Sequence, residues 1–361
     1  MRSGARQIQW CLAALIVACL PLPLGGNALR VAVTCDARSV TNDHEPVTWY
    51  TGPQEDLSAL DRWCRAVGRP IVVSTPGGRV AEAPALGDLV VLTWNAHLVE
   101  GDLPALVADL RDGRLTGGQP VQHFVLLLQE LLRRGAEVPA FASDSRSAFA
   151  ITGGDGHKGD VRQHVTTLGL SMLYVPSMRN GAEALEDRGN AIVSTERLHT
   201  LYAVELPLER QRRVAIGASI DVRANEKVER LEVVSAHFEP LSSPASLWIF
   251  RSPRPRQLTA LLQVLRNTRR SEPLRESSTV LGGDFNTIQA GAAEDVYAMA
   301  RAWSRSLFDE DPRGTHRLGR LDYLFFRLNE GWTASTTRVN DKYGSDHHPV
   351  LGRISGRRVP Q

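Results

Sequence analysis

The chain has 361 residues, 42% of them hydrophobic and 23% charged, which is the balance of a globular protein with a sizeable core. The net charge is only +2, and without Arg2 and Arg6 the remaining 40 basic residues balance 40 acidic ones. This balance argues against a strong non-specific attraction to nucleic acid through bulk charge. The length exceeds that of a typical single domain, but one large α/β domain with extensions accounts for it.

Residues 1–28 differ in composition from the rest of the chain. Two arginines precede the apolar run WCLAALIVACLPLPL, and small residues follow it up to Ala28. A basic start, a short apolar core and small residues are typical of an export signal. We therefore predict cleavage after Ala28 and a periplasmic or extracellular protein. The segment IVAC also resembles a bacterial lipobox, which leaves open a lipid anchor on Cys19.

Residues 29–86 form an N-terminal extension that holds both cysteines remaining after the signal. An even pair of cysteines in an exported chain predicts a disulfide between Cys35 and Cys64. Two unpaired buried thiols are the alternative. The stretch LSALDRWCRAV is amphipathic and the exit STPGGRVAEAPALGD is rich in Pro and Gly. We expect a short unit that packs on the main domain.

Short apolar runs that end in polar residues recur through residues 87–356. Their continuous apolar character predicts central strands covered on both faces. The runs are DLVVLTWN (88–95), HFVLLLQE (123–130), GNAIVST (189–195), LEVVSAHFE (231–239), STVLGGDFN (278–286) and RLDYLFFR (320–327). Amphipathic helical stretches at 103–113 and 256–268 lie between some of these runs. Strands that alternate with helices predict a layered α/β domain.

Polar side chains stand at the ends of several predicted strands. They are Asn95, Glu130, His237, Asp284 and Asn286. In layered α/β folds, sites form where strands end and loops begin. We therefore expect these side chains to converge on one pocket.

The residue types at these ends suit the hydrolysis of a phosphate ester. Glu130 closes an apolar run, so its carboxylate would be poorly solvated without a cation, and Mg²⁺ prefers oxygen ligands. Asn95 could add a carbonyl oxygen or position a water. In GGDFN the glycines allow a sharp turn, after which Asp284 and Asn286 would point the same way in an extended segment, to orient a water and hold a phosphate oxygen. The alternative is a glycine turn with an Asx cap.

The segment GSDHHPV (344–350) carries two adjacent histidines. In an extended segment Asp346 and His348 would face one way and His347 the other. His347 could act as an acid or base if a carboxylate held its other ring nitrogen. Asp322, polar within an apolar run, is the candidate carboxylate. A structural, hydrogen-bonded histidine is the alternative.

Seven of these segments resemble the endonuclease/exonuclease/phosphatase superfamily, which includes DNase I-like nucleases, neutral sphingomyelinases and inositol polyphosphate 5-phosphatases. TWN, LLQE, RGNAIVS, SAHF, GGDFN, RLDYLF and SDHHPV occur in the family's order over residues 88–355. The resemblance implies a four-layer α/β sandwich, in which two mixed β-sheets pack together with helices outside. It also implies a phosphoesterase that depends on Mg²⁺, or on Mn²⁺.

The resemblance further implies a role for each matching residue. The implied metal ligands are Asn95, Glu130 and Asp346. The implied catalytic residues are His237, Asp284, Asn286, Asp322 and His347. Arg188 and Asn190 sit where some relatives contact phosphate. His97 and His316 match no catalytic position and are left out of the predicted site.

Nucleic acid is the leading substrate prediction, supported by His237, the export signal and six arginines without an acid in window 251–270. That window is otherwise a solvated helix face. A phospholipid, sphingomyelin, phosphoinositide or small phosphoester is the alternative, and SPASLWIF (243–250) would then be a membrane-dipping loop. An inactive binding module is a second alternative, although no expected catalytic position is substituted. The sequence indicates no obligate protein partner.

Overall fold

The computed structural model describes residues 46–51, 57–74, 82–98, 101–140, 148–149, 159–181, 185–224, 227–240, 253–287, 292–306 and 308–356. The predicted export signal, Cys19, Cys35 and the segment 243–250 lie outside these ranges. None of the helices within them is both long and apolar enough to cross a membrane.

The described ranges form five α-helices and fifteen strands. The helices are α1 (Leu57–Arg65), α2 (Leu103–Arg111), α3 (Val161–Thr167), α4 (Arg254–Thr268) and α5 (Ala292–Ser304). The strands are β1 (Thr48–Thr51), β2 (Ile71–Val73), β3 (Leu89–Asn95), β4 (His123–Arg134), β5 (Ala148–Phe149), β6 (Ser171–Asn180), β7 (Glu186–Ser194), β8 (His199–Glu205), β9 (Val214–Ala224), β10 (Lys227–His237), β11 (Ser278–Asp284), β12 (Phe308–Asp309), β13 (Asp322–Arg327), β14 (Trp332–Arg338) and β15 (Val350–Gly356).

The strands form two mixed sheets. Sheet A has the order β1-β8-β9-β10-β11-β13. Sheet B has the order β12-β14-β15-β3-β4-β7-β6-β2, and β5 also pairs with β6. The pairs β3/β4 and β10/β11 are parallel, whereas β4/β7 and β11/β13 are antiparallel. With helices flanking both sheets, the predicted four-layer α/β sandwich is confirmed.

The apolar strand β3 contributes side chains to two hydrophobic cores, one on each face of sheet B. On β3, Leu89 and Val91 pack into the core that includes side chains of sheet A and of α4, such as Leu261. The intervening Val90 and Leu92 face the other way and pack with α2 and α3. Side chains alternate along a strand, so a strand covered on both faces is apolar throughout.

The N-terminal extension contributes strands to both sheets. β1 pairs in parallel with β8 at the edge of sheet A, and β2 pairs antiparallel with β6 at the edge of sheet B. The extension is therefore part of the sandwich, whereas the sequence predicted only a unit packed on it. Cys64, buried on α1, is disulfide-bonded. Its pairing with Cys35 stays a prediction because Cys35 lies beyond the described ranges.

Strand β4 runs past its predicted end at Glu130 and continues to Arg134. Its pairing with β7 shifts register between Leu128 and Leu131, and Glu130 has a φ of 56°. A bulge of this kind inserts an extra residue and redirects its side chain without ending the strand. The predicted strand end at Glu130 is therefore wrong.

The two glycines before Asp284 allow close packing inside β11 instead of the predicted sharp turn. A Cβ on Gly283, whose φ is 150°, would lie 1.8 Å from the carbonyl oxygen of Ala236 on β10. A Cβ on Gly282 would lie 2.6 Å from the Leu324 side chain. A larger residue at either position would push neighbouring side chains or strands away and displace Asp284.

Candidate active site

Three polar residues form a row across sheet A. The register aligns His237 of β10 with Asp284 of β11, and Asp284 with Asp322 of β13. All three side chains are buried. The prediction that polar residues at strand ends converge is borne out here by the strand pairing itself.

Sheet B brings Asn95 and Glu130 against this row. The Asn95 Nδ2 donates to Asp284 Oδ2 at 3.0 Å and to Glu130 Oε1 at 3.4 Å. Glu130 Oε1 also lies 3.8 Å from His237 Nε2. The left-handed backbone of Glu130 costs roughly 1–3 kcal/mol, and such strain recurs at functional sites. The bulge therefore holds this carboxylate in the pocket at a cost in stability.

The amide of Asn95 is oriented by the backbone. Its Oδ1 accepts a hydrogen bond from the His97 N–H at 3.0 Å, so the Nδ2 end must face the carboxylates. In this orientation Asn95 joins Asp284 to Glu130 as a hydrogen-bond donor. Its implied role as a metal ligand stays a prediction.

A turn before β15 is fastened to the end of β3. Ser345 Oγ donates to the Asn95 carbonyl at 2.7 Å and accepts from the His347 N–H at 3.0 Å. The Trp94 indole Nε1 donates to the His347 carbonyl at 3.2 Å. These bonds fix the backbone on both sides of Asp346.

This turn sends Asp346 and His347 to the same side, so the predicted extended segment is wrong. His347 Nε2 lies 3.8 Å from Asp346 Oδ1 and 4.0 Å from Asp284 Oδ2. His348 instead places its Nδ1 3.0 Å from the Val339 carbonyl, away from this cluster. Of the two adjacent histidines, His347 is the one in the pocket.

His347 and Asp322 form a buried pair. His347 Nδ1 lies 2.7 Å from Asp322 Oδ2, and a carboxylate accepts, so Nδ1 carries the hydrogen. Burial opposes the charged ring, but the charge of Asp322 and this hydrogen bond outweigh it and raise the pKa of His347 to about 10. The ring is therefore an imidazolium at neutral pH.

Asp284 is the central carboxylate. Burial and the neighbouring Asp322 raise its pKa to about 7, against the opposing charge of His347. Its Oδ1 accepts the Asn286 N–H at 2.8 Å, which is the Asx turn weighed from the sequence. Asn286 has a φ of 51°, and its Nδ2 donates to the Phe238 carbonyl at 3.0 Å. The expected extended arrangement of Asp284 and Asn286 is therefore wrong.

His237 is bounded by positive charge on one side. Its Nδ1 lies 3.0 Å from Arg213 Nη1. Burial, together with Arg213, Arg188 and His347, lowers the pKa of His237 well below 6.5. The two buried histidines thus differ, because His347 is charged and His237 is neutral.

Arg188 and Asn190 line a small recess together with Glu130, Arg213 and His237. Arg188 Nη2 contacts Met178 Sδ at 2.9 Å, and its buried Nε has no hydrogen-bond partner in the described part of the chain. Asn190 is buried and donates its Nδ2 to the Val214 carbonyl at 2.7 Å. Arg188 therefore keeps a donor for a phosphate, while the amide nitrogen of Asn190 already bonds a strand.

Two histidines that the sequence analysis left out contact Asp346. His97 Nδ1 lies 3.1 Å from Asp346 Oδ1, and His316 Nε2 lies 3.2 Å from Asp346 Oδ2. The His316 ring also stacks on His347 at 4.7 Å. His97 could have been found by its position two residues after Asn95. His316 is 30 residues from Asp346 and follows no strand, so the sequence offers no signal.

The two arginines in the first turn of α4, Arg254 and Arg256, differ in burial. Arg254, the first residue of the helix, is buried and donates to the Asn286 carbonyl, while its Nε and Nη2 have no partner among described residues. Burial lowers its pKa to about 10, opposed by Asp284 and Glu239. Arg256 pairs with Glu209 at 2.9 Å on the surface. Of these two arginines, Arg254 is the one near Asp284.

The carboxylates fit a hard divalent cation. Asp346 Oδ1 is buried and contacts His97 Nδ1 at 3.1 Å and His347 Nε2 at 3.8 Å, but it accepts no hydrogen bond from a described residue. A buried carboxylate oxygen without a hydrogen bond can accept an ion ligand bond. Two compact groups of side chains of metal-ligand type both include His347, one with Asp346 and His316 and one with Asp284 and Asp322. Because His347 is protonated, the carboxylates are the candidate ligands of these groups.

The chain belongs to the endonuclease/exonuclease/phosphatase family, whose sequence profile matches residues 92–347. Membership makes it a phosphoester hydrolase, and the family generally uses a divalent metal.

Several solved structures resemble this chain at low sequence identity. The chain is similar to an endonuclease/exonuclease/phosphatase from Beutenbergia cavernae, with 18% identity and a TM-score of 0.51, over 74% of this chain and 71% of that chain. It is also similar to the human Nocturnin catalytic domain, with 16% identity and a TM-score of 0.49, over 80% of this chain and 97% of that chain. A mannosyl-6-phosphatase from Bacteroides thetaiotaomicron has 11% identity, with 74% and 99% coverage and a TM-score of 0.46. No curated protein matches the chain.

Proposed function

We propose that the protein is an exported, Mg²⁺-dependent phosphodiesterase that cleaves nucleic acid by direct attack of water. The observation that carries the proposal is the meeting of Asp284, His347 and Glu130 in one buried pocket, with His347 held by Asp322 at 2.7 Å. A carboxylate, an imidazolium and a candidate metal ligand are the groups that water attack on a phosphate ester requires.

Under this proposal, different residues of the pocket have different catalytic roles. Asp284, with its pKa raised by burial, is suited to orient the water and accept its proton. His347 presents Nε2–H, which would stabilise negative charge as it develops on the phosphate oxygens. A Mg²⁺ or Mn²⁺ held by Glu130 and Asp346 would neutralise phosphate charge and stabilise the leaving oxygen.

Nucleic acid is favoured as the substrate by the second buried histidine, His237, and by the free donors of Arg254 next to Asp284. Both would face a phosphodiester bound between the ends of the sheets. A small phosphoester is the second candidate. The observation that favours it is that the arginine nitrogens without a hydrogen-bond partner next to Asp284 and His237, on Arg188, Arg213 and Arg254, are buried among the described residues. A compact substrate would reach buried cations, while a polymer needs exposed ones.

Plasmid nicking tests the proposal. The chain from Leu29 would be assayed with Mg²⁺ and with EDTA, beside the variants His347→Ala and His348→Ala. We expect EDTA-sensitive nicking that is lost in His347→Ala and kept in His348→Ala, because only His347 faces the pocket. Equal losses in both variants would contradict the role of His347.

The same proteins separate the substrate classes. If plasmid DNA stays intact, hydrolysis of bis(p-nitrophenyl) phosphate and of p-nitrophenyl phosphate distinguishes a small diester from a monoester substrate. Vesicles that contain sphingomyelin or phosphoinositide test the lipid alternative. A folded protein with no metal-dependent activity on any of these substrates would favour the inactive binding module.

Export is tested separately. The mass of the chain recovered outside the cytoplasm should correspond to a start at Leu29. A chain that starts at a lipid-modified Cys19 would establish the anchor instead. Retention of the uncleaved chain inside the cell would contradict export.

A further inference from the structure

We propose that Arg213 is a positioning residue that fixes His237 as the tautomer with its hydrogen on Nε2, so that His237 serves the pocket as a hydrogen-bond donor. The inference deepens the proposed function and rests on it for the catalytic role of His237. The state of the ring itself follows from contacts within the protein.

The contact between Arg213 and His237 allows one direction of hydrogen bonding. Arg213 Nη1 lies 3.0 Å from His237 Nδ1, and both side chains are buried. A guanidinium has five N–H donors and no acceptor, so Nδ1 must supply the lone pair. A neutral imidazole then carries its single hydrogen on Nε2.

The opposite side of the ring agrees with this assignment. His237 Nε2 lies 3.6 Å from Asp284 Oδ2 and 3.8 Å from Glu130 Oε1. Carboxylate oxygens accept, so an N–H at Nε2 suits both neighbours. Both distances exceed a hydrogen bond, which leaves the N–H available for an oxygen of the substrate or of water.

Arg213 is itself held in place. Its Nη2 donates to Gln211 Oε1 at 2.8 Å, and its Nε lies 3.9 Å from Glu239 Oε2. Its backbone carbonyl accepts the Leu206 N–H at 3.1 Å, immediately before β9 begins. The guanidinium therefore meets the ring from a fixed direction.

The partner at Nδ1 separates the two histidines of the pocket. Asp322 accepts from Nδ1 of His347 and favours the imidazolium, whereas Arg213 donates to Nδ1 of His237 and leaves no room for a hydrogen there. A second hydrogen on His237 would point at a buried cation. The pocket thus receives one charged donor and one neutral donor, each through Nε2.

Nitrogen-15 NMR of the metal-free full chain, with ¹⁵N-labelled histidine, tests the assignment directly. The His237 signals are identified by their loss in His237→Gln. At pH 7 we expect a bare Nδ1 and a protonated Nε2 in the unsubstituted protein. A protonated Nδ1 on His237 in the unsubstituted protein would overturn the proposal.

Variants test whether Arg213 is the cause. Arg213→Met removes the donors and should let the hydrogen exchange between the two ring nitrogens, whereas Arg213→Lys retains a donor and should restore the bare Nδ1. Arg210→Met is the matched control, because Arg210 is an exposed arginine of the same loop. An unchanged His237 pattern in a folded Arg213→Met would also overturn the proposal.

Activity gives the second readout. Partners that orient a functional histidine typically account for about 10–100-fold in activity, so we expect a loss of that size in kcat for Arg213→Met and partial recovery in Arg213→Lys. If the NMR pattern holds but no phosphoester is cleaved, the proposed function fails and the positioning role stands. If catalysis is present but the pattern is absent, only the role of Arg213 fails.

Discussion

Two groups of buried arginines in this molecule differ in how completely they are paired. Arg212 donates to Glu205 through Nε and Nη2 at 2.9 and 2.7 Å, and its Nη1 donates to two carbonyls of β6. Arg133 is paired with Asp187 and with the Arg69 carbonyl. Around the pocket, by contrast, Arg213 Nε and two nitrogens of Arg254 have no hydrogen-bond partner among the described residues, although Arg213 Nε lies 3.9 Å from Glu239 Oε2.

The difference separates arginines that stabilise the fold through complete hydrogen bonding from arginines next to the candidate site that keep unbonded nitrogens. A buried charge is costly unless its hydrogen bonds are complete. Arg212 and Arg133 meet that condition and join strands. Arg213 contacts His237, and Arg254 lies near Asp284, where under the proposed function an anionic substrate would complete the hydrogen bonding of Arg254. Both groups of arginines are buried, so the completeness of their hydrogen bonding, and not their burial, distinguishes the two groups.

The largest effect on folding is expected from Arg212→Met. The change leaves Glu205 buried and unpaired, and breaking one side of a buried pair costs about 3–5 kcal/mol. Urea denaturation measures the loss in the free energy of unfolding. Arg212→Met combined with Glu205→Leu should recover most of it, since no charge then remains buried. A single variant as stable as the parent would remove the distinction between the two groups.

Arg254→Met should show the opposite behaviour. It removes one hydrogen bond, to the Asn286 carbonyl, and a cation whose Nε and Nη2 have no partner among the described residues, so the free energy of unfolding should fall by only about 1–2 kcal/mol. We expect kcat/KM to fall about 10–100-fold, or 1.4–2.8 kcal/mol, through the lost contact to phosphate. Arg256→Met, on the exposed side of the same helix, is the control. A loss of stability without a loss of activity would place Arg254 among the structural arginines.

The cationic ring of His347 combines features of both groups of arginines. Its Nδ1 is bonded to Asp322, whereas its Nε2 faces the pocket without a hydrogen bond among the described residues. Its folded pKa of about 10 lies above the unfolded value of about 6.5, so its stabilisation is complete below pH 6.5. That stabilisation is lost as the pH rises from there through about 10.

Urea denaturation in EDTA between pH 6 and 10 measures this dependence. The loss of stability with rising pH should be shallower in Asp322→Asn, which cannot stabilise the ring as strongly. Parallel curves for the two proteins would show that Asp322 does not hold the charge of His347.

The smallest difference in stability is expected at the strained backbone of Glu130. Glycine adopts positive φ without a Cβ penalty, so Glu130→Gly should be about 1 kcal/mol more stable than Glu130→Ala. Both variants should lose activity by orders of magnitude, because both lack the carboxylate. Equal stabilities would mean that the bulge in β4 is not strained. Retained activity in either would remove Glu130 from the site.

The sequence predicted the sandwich and most of the pocket because the relevant signals are local. Apolar runs of strand length identify β3, β10, β11 and β13, and a polar residue closing such a run falls at the strand end. Asn95, His237 and Asp284 were found in this way. The adjacent histidines of GSDHHPV drew attention to His347, and the family resemblance added Asp346. The structure places both in the pocket.

What the sequence missed depends on the path of the backbone and on distant contacts. The bulge at Glu130 interrupts no apolar pattern. The sequence around residues 343–348 predicts an extended segment, whereas the structure has a turn there. Arg213 and Arg254 are two of many arginines, and nothing in their local sequence shows that Arg213 is buried against His237 and Arg254 near Asp284. His316 meets Asp346 only because the fold closes a separation of 30 residues.

The two strands of the N-terminal extension carry a consequence for self-association. β1 covers the edge of β8 and β2 covers the edge of β6, so the backbone N–H and C=O groups along those edges are engaged within one chain. An uncovered edge strand is a template for pairing with another copy. A chain shortened to residues 87–356 would expose both edges, and we expect it to aggregate at concentrations at which the longer chain remains monodisperse.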